Sequence, residues 1–334
     1  MADEELPGSQ VERWISFGAT IVAPVTVLGA LLFYFGYVSS RSQYAYFGVD
    51  VDTIGLSTQD YIMRSPQPLL VPLLVLTLAG AGLLMLDATV RRRTASAVAD
   101  AADEANAAKP DLGPAQYVEQ IRHIARRSVI FGLAVLTAGV VLLFTYSLVR
   151  GWALYGMVTP LLLGLGAALI AYASRVLNLL QFQQAQQTPA SAKDPGPTRA
   201  RLAHADSSVL ARRTANVLIY VLIAASIFWI TATVAQWSGR GLAEYDAQHL
   251  DNLPSVILDT KERLFLRDPG IEETVLPTSQ GQTFHYRYRH LRLLIEGHDR
   301  MFLVPNDWSA SDSTLIVPLD DSVRVQFQFQ NQPP

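Results

Sequence analysis

Five long apolar runs set the plan of this chain: Ile15–Val38, Leu69–Leu86, Val129–Val149, Trp152–Ala173 and Asn216–Trp237. None contains an Asp, Glu, Lys, Arg or His. A helix crossing a hydrocarbon layer of about 30 Å needs about 20 apolar residues, so each run predicts a transmembrane helix. Buried helices of a large soluble protein would need amphipathic sequence around them that this chain lacks. Pro66, Pro68 and Pro72 stand at the start of the second run, where the first helical turn tolerates proline because its N–H groups have no intrahelical partner. Only Arg150 and Gly151 separate the third run from the fourth, which predicts a tight helical hairpin. Trp14, Tyr34, Tyr37, Tyr146, Trp152 and Trp237 lie near run ends, as interfacial anchors do.

Arginine and lysine in the connections set the orientation. Residues 87–128 and 174–215 hold thirteen, while the segment 39–68 and the short third connection hold three, namely Arg41, Arg64 and Arg150. Basic connections stay inside, so residues 1–14 are expected in the cytoplasm and residues 238–334 outside it. The first run exceeds the apolar core of a signal peptide and follows an acidic leader, which predicts an uncleaved anchor. With 23 Arg against 3 Lys the composition has the bias of a GC-rich genome, and a bacterial plasma membrane is the expected location.

The connections differ in character. Residues 94–108 are Ala-rich with scattered acids and predict a short helix, interrupted at Pro110, Gly113 and Pro114. Residues 182–200, rich in Gln, Pro and Ala, predict a flexible loop. Segment 39–68 carries Tyr44, Tyr46, Phe47 and Tyr61 and is too apolar for a plain linker. Ser57 followed by Asp60 has the spacing of a capping box, so Thr58–Arg64 is predicted as a short helix at the interface, covering the bundle.

From Ser238 charge returns, with nine basic and fourteen acidic residues. Strand-like alternation appears in Ser255–Leu266, Thr283–Glu296, Arg300–Val304, Thr314–Leu319 and Ser322–Gln330. Asp268-Pro269-Gly270, Gln280-Gly281, Asn306-Asp307 and Asp320-Asp321 supply turns between them. The predicted fold class is therefore an all-α membrane bundle of five helices with a small C-terminal antiparallel β domain, a barrel or a sandwich.

Chemistry is sparse. The absence of cysteine excludes thiolate metal sites, disulfides and thiol nucleophiles. Asp50-x-Asp52 with Gly55 opens like a calcium loop, yet Ile54 and Tyr61 occupy positions where an EF-hand needs ligands. His123, His204, His249, His285, His290 and His298 form no zinc spacing, and no nucleotide-binding or hydrolase motif occurs. No catalytic, cofactor or metal residue is therefore expected. A net charge of −3 gives no reason to expect nucleic acid. Gly164 and Gly166, and also Gly80 and Gly82, suit close helix packing, while Pro24 and Pro160 sit in positions that mark broken helices in some transporters.

The densest polar feature of the tail runs from His285 to Arg292. Its arginines and tyrosines, Arg287, Arg289, Arg292, Tyr286 and Tyr288, are the anion-contact candidates, because forked guanidinium groups grip phosphate or carboxylate. On a regular strand Arg287 and Arg289 share one face, and Tyr286, Tyr288 and Arg292 the other. The competing expectation is that the arginines pair with acids across the sheet. The function these features favour is a non-enzymatic membrane protein presenting an extracytoplasmic β domain for binding or scaffolding. Its partners would be the bilayer, an envelope protein or further copies of itself. A transporter or channel subunit with a pore formed by oligomerisation is the alternative, and a membrane-bound enzyme the third.

Overall fold

A computed structural model describes residues 8–105, 113–149, 151–187 and 199–328. Five helices are long and apolar enough to cross a membrane, over Val22–Tyr46, Pro66–Val90, Arg122–Phe144, Tyr155–Asn178 and Arg213–Gln248. They belong to longer helices: α1 (Gly8–Tyr46), α4 (Pro66–Ala105), α5 (Gly113–Phe144), α7 (Tyr155–Gln187) and α8 (Arg199–Gln248). Extending a formed helix adds a hydrogen bond per residue without a new nucleus, so the spans run on into the Ala- and Arg-rich flanks. Pro24 and Pro160 lie within unbroken helices. The tight hairpin is wider than expected. Helix α5 ends at Phe144, a single turn α6 (Tyr146–Val149) follows, and α7 begins at Tyr155. The Thr145 hydroxyl, just past the end of α5, donates to the Val141 carbonyl at 2.9 Å. The expected break at Pro110 and the loop core 188–198 lie outside the described residues.

The chain divides into two compact units, residues 73–233 and the remainder. In the first, α5 and α7 pack antiparallel through glycine. A Cβ at Gly166 would come within 2.7 Å of the Leu136 backbone nitrogen, and one at Gly132 within 3.1 Å of the Gly166 carbonyl. Helices α7 and α8 meet where Gly156 faces Thr233, whose hydroxyl donates to the Gly156 carbonyl at 2.9 Å, and where Gly164 faces Ser226. Small residues at these contacts let the backbones approach, which is how helices associate in lipid. Gly80 and Gly82, by contrast, have nothing within 4 Å of a built Cβ among the described residues.

In the other unit, α1 and α8 both continue past their apolar runs, to Tyr46 and Gln248. They touch where Gly239 meets the Ser39 carbonyl, and Gln43 donates to the Asp246 carboxylate at 3.2 Å. Segment 39–68 then folds into α2 (Val51–Ile54) and α3 (Thr58–Arg64). The capping box exists: the Asp60 N–H donates to Ser57 Oγ at 3.2 Å and the Ser57 N–H to the Asp60 carboxylate at 2.8 Å.

Beyond a 3-10 turn (Leu250–Asn252) come β1 (Ser255–Thr260), β2 (Glu272–Val275), β3 (Tyr286–Glu296), β4 (Arg300–Pro305), β5 (Leu315–Pro318) and β6 (Val323–Gln328). All pairs are antiparallel. The order is β5-β4-β3-β1-β6, with β2 also on β3, and the sheet is open, so that of the expected barrel or sandwich it does not close into a barrel. One edge of β3 is shared: β2 pairs with Tyr286–Arg289, and β4 with Leu291–Glu296. The division falls at His290, whose φ of 64° places it in the left-handed region. There the β1–β3 register slips between Val256 and Leu258, a bulge that leaves Tyr288 and Leu291, three apart, both fully buried.

Candidate functional site

Two places in the second unit gather side chains with chemistry: the joint between segment 39–68 and the sheet, and the basic strand. At the joint Val51, Ile54 and Tyr61 form one buried cluster with Ile295 and Phe302. Phe33 and Tyr37 of α1 meet the Tyr61 ring edge-on at 5.4 and 5.5 Å. A second cluster joins Phe47, Ala243, Leu250 and Val304, with the Trp308 ring 4.8 Å from Phe47. Polar contacts close the rim: Arg64 donates to the Tyr44 hydroxyl at 2.6 Å and Thr314 to the Phe47 carbonyl at 2.7 Å. The apolar excess of segment 39–68 thus covers the sheet. Its Asp50-x-Asp52-x-x-Gly55 pattern is also accounted for by capping. The Asp50 carboxylate accepts from the Asp52 N–H at the start of α2, and Gly55, at φ 77°, ends the helix in the left-handed region.

On the basic strand the five candidates separate. Asp259 on β1 is fully buried and accepts a forked pair from Arg287, Nε at 2.8 Å and Nη2 at 3.0 Å. Arg324 of β6 donates to the same carboxylate through Nε at 3.1 Å and through Nη2. The register dictates this meeting, because Asp259 is the direct cross-strand partner of Arg287 on one side and of Arg324 on the other. Burial pushes the Asp259 carboxyl up, but the hydrogen bonds and charge of Arg287 and Arg324 outweigh it and hold the carboxyl below its ordinary range. Arg324 is further steadied over the Phe284 ring at 5.0 Å.

The bulge redistributes the rest. Arg292 lies opposite Ser255 and Val304, on the same face as Asp259 and Arg287 and not, as expected, with Tyr286 and Tyr288. It donates to Asn306 Oδ1 at 2.6 Å and to the Leu253 carbonyl at 2.9 Å, tying the sheet to the end of the 3-10 turn. Tyr288 is fully buried, its hydroxyl accepting the Leu264 N–H at 2.8 Å, and Tyr286 packs on the same apolar cluster. Arg289 is exposed. Two guanidinium groups are therefore committed inside the fold, and the five residues do not converge on one point. His290 lies 4.0 Å from Glu272, and His249 stacks on Tyr245 with ring centroids 4.4 Å apart. What sequence reasoning missed is the role of Asp259, whose partners lie 28 and 65 residues away. No protein-family model, curated protein or solved structure matches this chain.

Proposed function

We propose that this is a non-enzymatic integral protein of a bacterial plasma membrane, whose five helices present the C-terminal β domain outside the cytoplasm to bind or scaffold an envelope protein. The observation that carries this reading is the open sheet. Among the described residues β5 pairs only with β4 and β6 only with β1, and these edge strands expose Ile316 at 51% and Phe327 at 58%. An edge strand with apolar side chains is a ready template for strand addition by another chain. The buried joint supports the same reading, because a domain fused to its helices holds such an edge at a fixed height. The bias of basic residues supports a cytoplasmic N-terminus.

Photo-crosslinking residues at Ile316 and Phe327 in the intact protein in cells test the proposal. A discrete adduct from either position is expected, and its absence from both would defeat it. A second reading, a channel or transporter subunit, draws on Gly80 and Gly82, which leave a stretch of α4 open to another helix. Solute flux in reconstituted vesicles would favour that reading over the first.

A further inference from the structure

The unit of residues 73–233 contains a polar cleft that the proposed function does not use. Helices α7 and α8 touch at Gly156 and Thr233 and again at Gly164 and Ser226. Further along the same antiparallel register a cavity of about 470 Å³ opens between them, lined by Ser174, Arg175, Asn178, Asn216 and Tyr220 among others. That volume is within the range of small-molecule sites. Its position is informative: the apolar run of α7 ends at Ala173, directly before Ser174 and Arg175, and that of α8 begins at Asn216. The cleft therefore sits at the boundary between hydrocarbon and water. The antiparallel packing of α5 on α7 brings Arg122, Arg126 and Arg127 to this end as well.

We infer that this cleft takes the phosphate-bearing headgroup of an anionic phospholipid. Arg175 supplies the charge. It stands 3.8 Å from the Asp87 carboxylate, a charge contact too long to be a hydrogen bond. Charge-assisted donation to phosphate oxygens is what a guanidinium does best. The amides of Asn178 and Asn216 and the Ser174 hydroxyl add neutral donors at the same level. Asp87 lowers the net positive charge, which suits a singly charged phosphodiester better than a free phosphate dianion. Ile219 and the Tyr220 ring offer an apolar wall for the glycerol and the first acyl carbons, and tyrosine commonly sits at headgroup depth.

Native mass spectrometry of the full chain, delipidated and titrated with phosphatidylglycerol or phosphatidylcholine, tests this. Phosphatidylglycerol should bind more tightly, and Arg175→Gln should weaken it by about tenfold, as loss of a charge-assisted contact does. Asn216→Leu keeps the Arg175–Asp87 pair and fills the cleft, so it tests the site independently should the first variant fold poorly, and it should weaken binding by a similar factor. Arg127→Gln, at the same end but outside the cleft, should leave binding within about twofold because it removes only a screened surface charge. Equal binding of the two lipids, equal losses in all three variants, or displacement by millimolar inorganic phosphate would each overturn the assignment.

Discussion

The seam between α5 and α7 and the joint between segment 39–68 and the sheet are both tightly packed, but different residues fill them. At the seam backbone meets backbone through Gly132 and Gly166, and Gly139 admits the buried Leu163, while many other Leu, Val and Phe side chains point outward. At the joint glycine also lets backbones meet, Gly36 at the Tyr61 carbonyl and Gly297 at the Ile54 carbonyl, but there Val51, Ile54, Tyr61 and Phe302 point inward as well. The surrounding solvent accounts for the contrast. Lipid offers apolar side chains nearly what a protein interior does, so helices gain by close approach and not by hiding leucine. Water makes hiding Phe302 worthwhile, by about 2–3 kcal/mol for a fully buried aromatic. The joint is thus the water-facing kind of packing within a membrane protein.

Gly166→Leu should produce the largest effect of any change at the seam. The new side chain has no path past the Leu136 backbone, and overpacking a tight contact costs about 3 kcal/mol or more. Loss of the monodisperse species in detergent is the expected result. Gly80→Leu, on an open stretch of α4, should leave elution and melting unchanged. Equal harm from both would mean that α4 is covered by another copy, and the comparison would then describe an assembly.

Phe302→Ala tests the joint. Removing a fully buried phenyl ring usually costs about 3–5 kcal/mol. The loss should appear as faster amide exchange in α2, α3, β3, β4 and the end of α1, whose Phe33, Tyr37 and Tyr44 join the cluster, with the helices of residues 73–233 unaffected. Phe327→Ala, on an exposed edge, should change exchange and stability by no more than about 0.5 kcal/mol.

Asp259→Asn comes next. It leaves Arg287 and Arg324 facing each other across a neutral amide, and breaking a buried ion pair costs about 3–5 kcal/mol. Arg324 is 48% exposed and keeps water contact, so about 2–3 kcal/mol is expected here. The pH dependence has a definite sign. The carboxyl titrates lower in the folded chain than in the unfolded one, so its contribution is complete above about pH 4 and is lost as pH falls through the folded value. Sheet stability should therefore be flat near neutrality and drop in acid, and the Asn variant should lose most of that drop. By contrast, Arg289→Gln should alter neither profile.

The sequence shows the spans because an apolar run is a property of local composition. It also shows α3, because a capping box needs only residues three apart. Five strands are visible from alternation, although β1 ends at Thr260, six residues early, where the chain leaves the sheet and Phe265 takes φ 51°. Strand β2 escapes notice because Glu272–Val275 is four residues long with one aliphatic. The open sheet and the bulge at His290 depend on pairing between distant strands, which periodicity cannot encode. That bulge alone moved Arg292 to the other face. The joint was half visible: the excess of aromatics in 39–68 is plain, but Phe302 and Val304 lie some 240 residues further along.

Of the changes expected to destabilise, Ser57→Ala has the smallest effect, and it sharpens the reading of the acid transition. Ser57 and Asp60 bond reciprocally, with the Ser57 hydroxyl also donating to the carboxylate at 2.7 Å. Those bonds from Ser57 hold the Asp60 carboxyl below its ordinary range, so Asp60, like Asp259, contributes stability that disappears as pH falls below about 4. Replacing an N-cap serine by alanine costs about 1 kcal/mol. The effect should be confined to α3 and to the Tyr61 contact it positions, read as faster exchange of the amides of Asp60 and Tyr61. Because each side chain bonds the other's backbone N–H, each single variant keeps one bond of the box and the double variant loses both, so it should be worse than either single one. The acid transition of α3 should weaken in each of these variants while that of the sheet stays with Asp259. If a single change at Ser57 flattens both transitions, the short helix and the sheet unfold as one body, and the joint is a stronger coupling than its buried area requires.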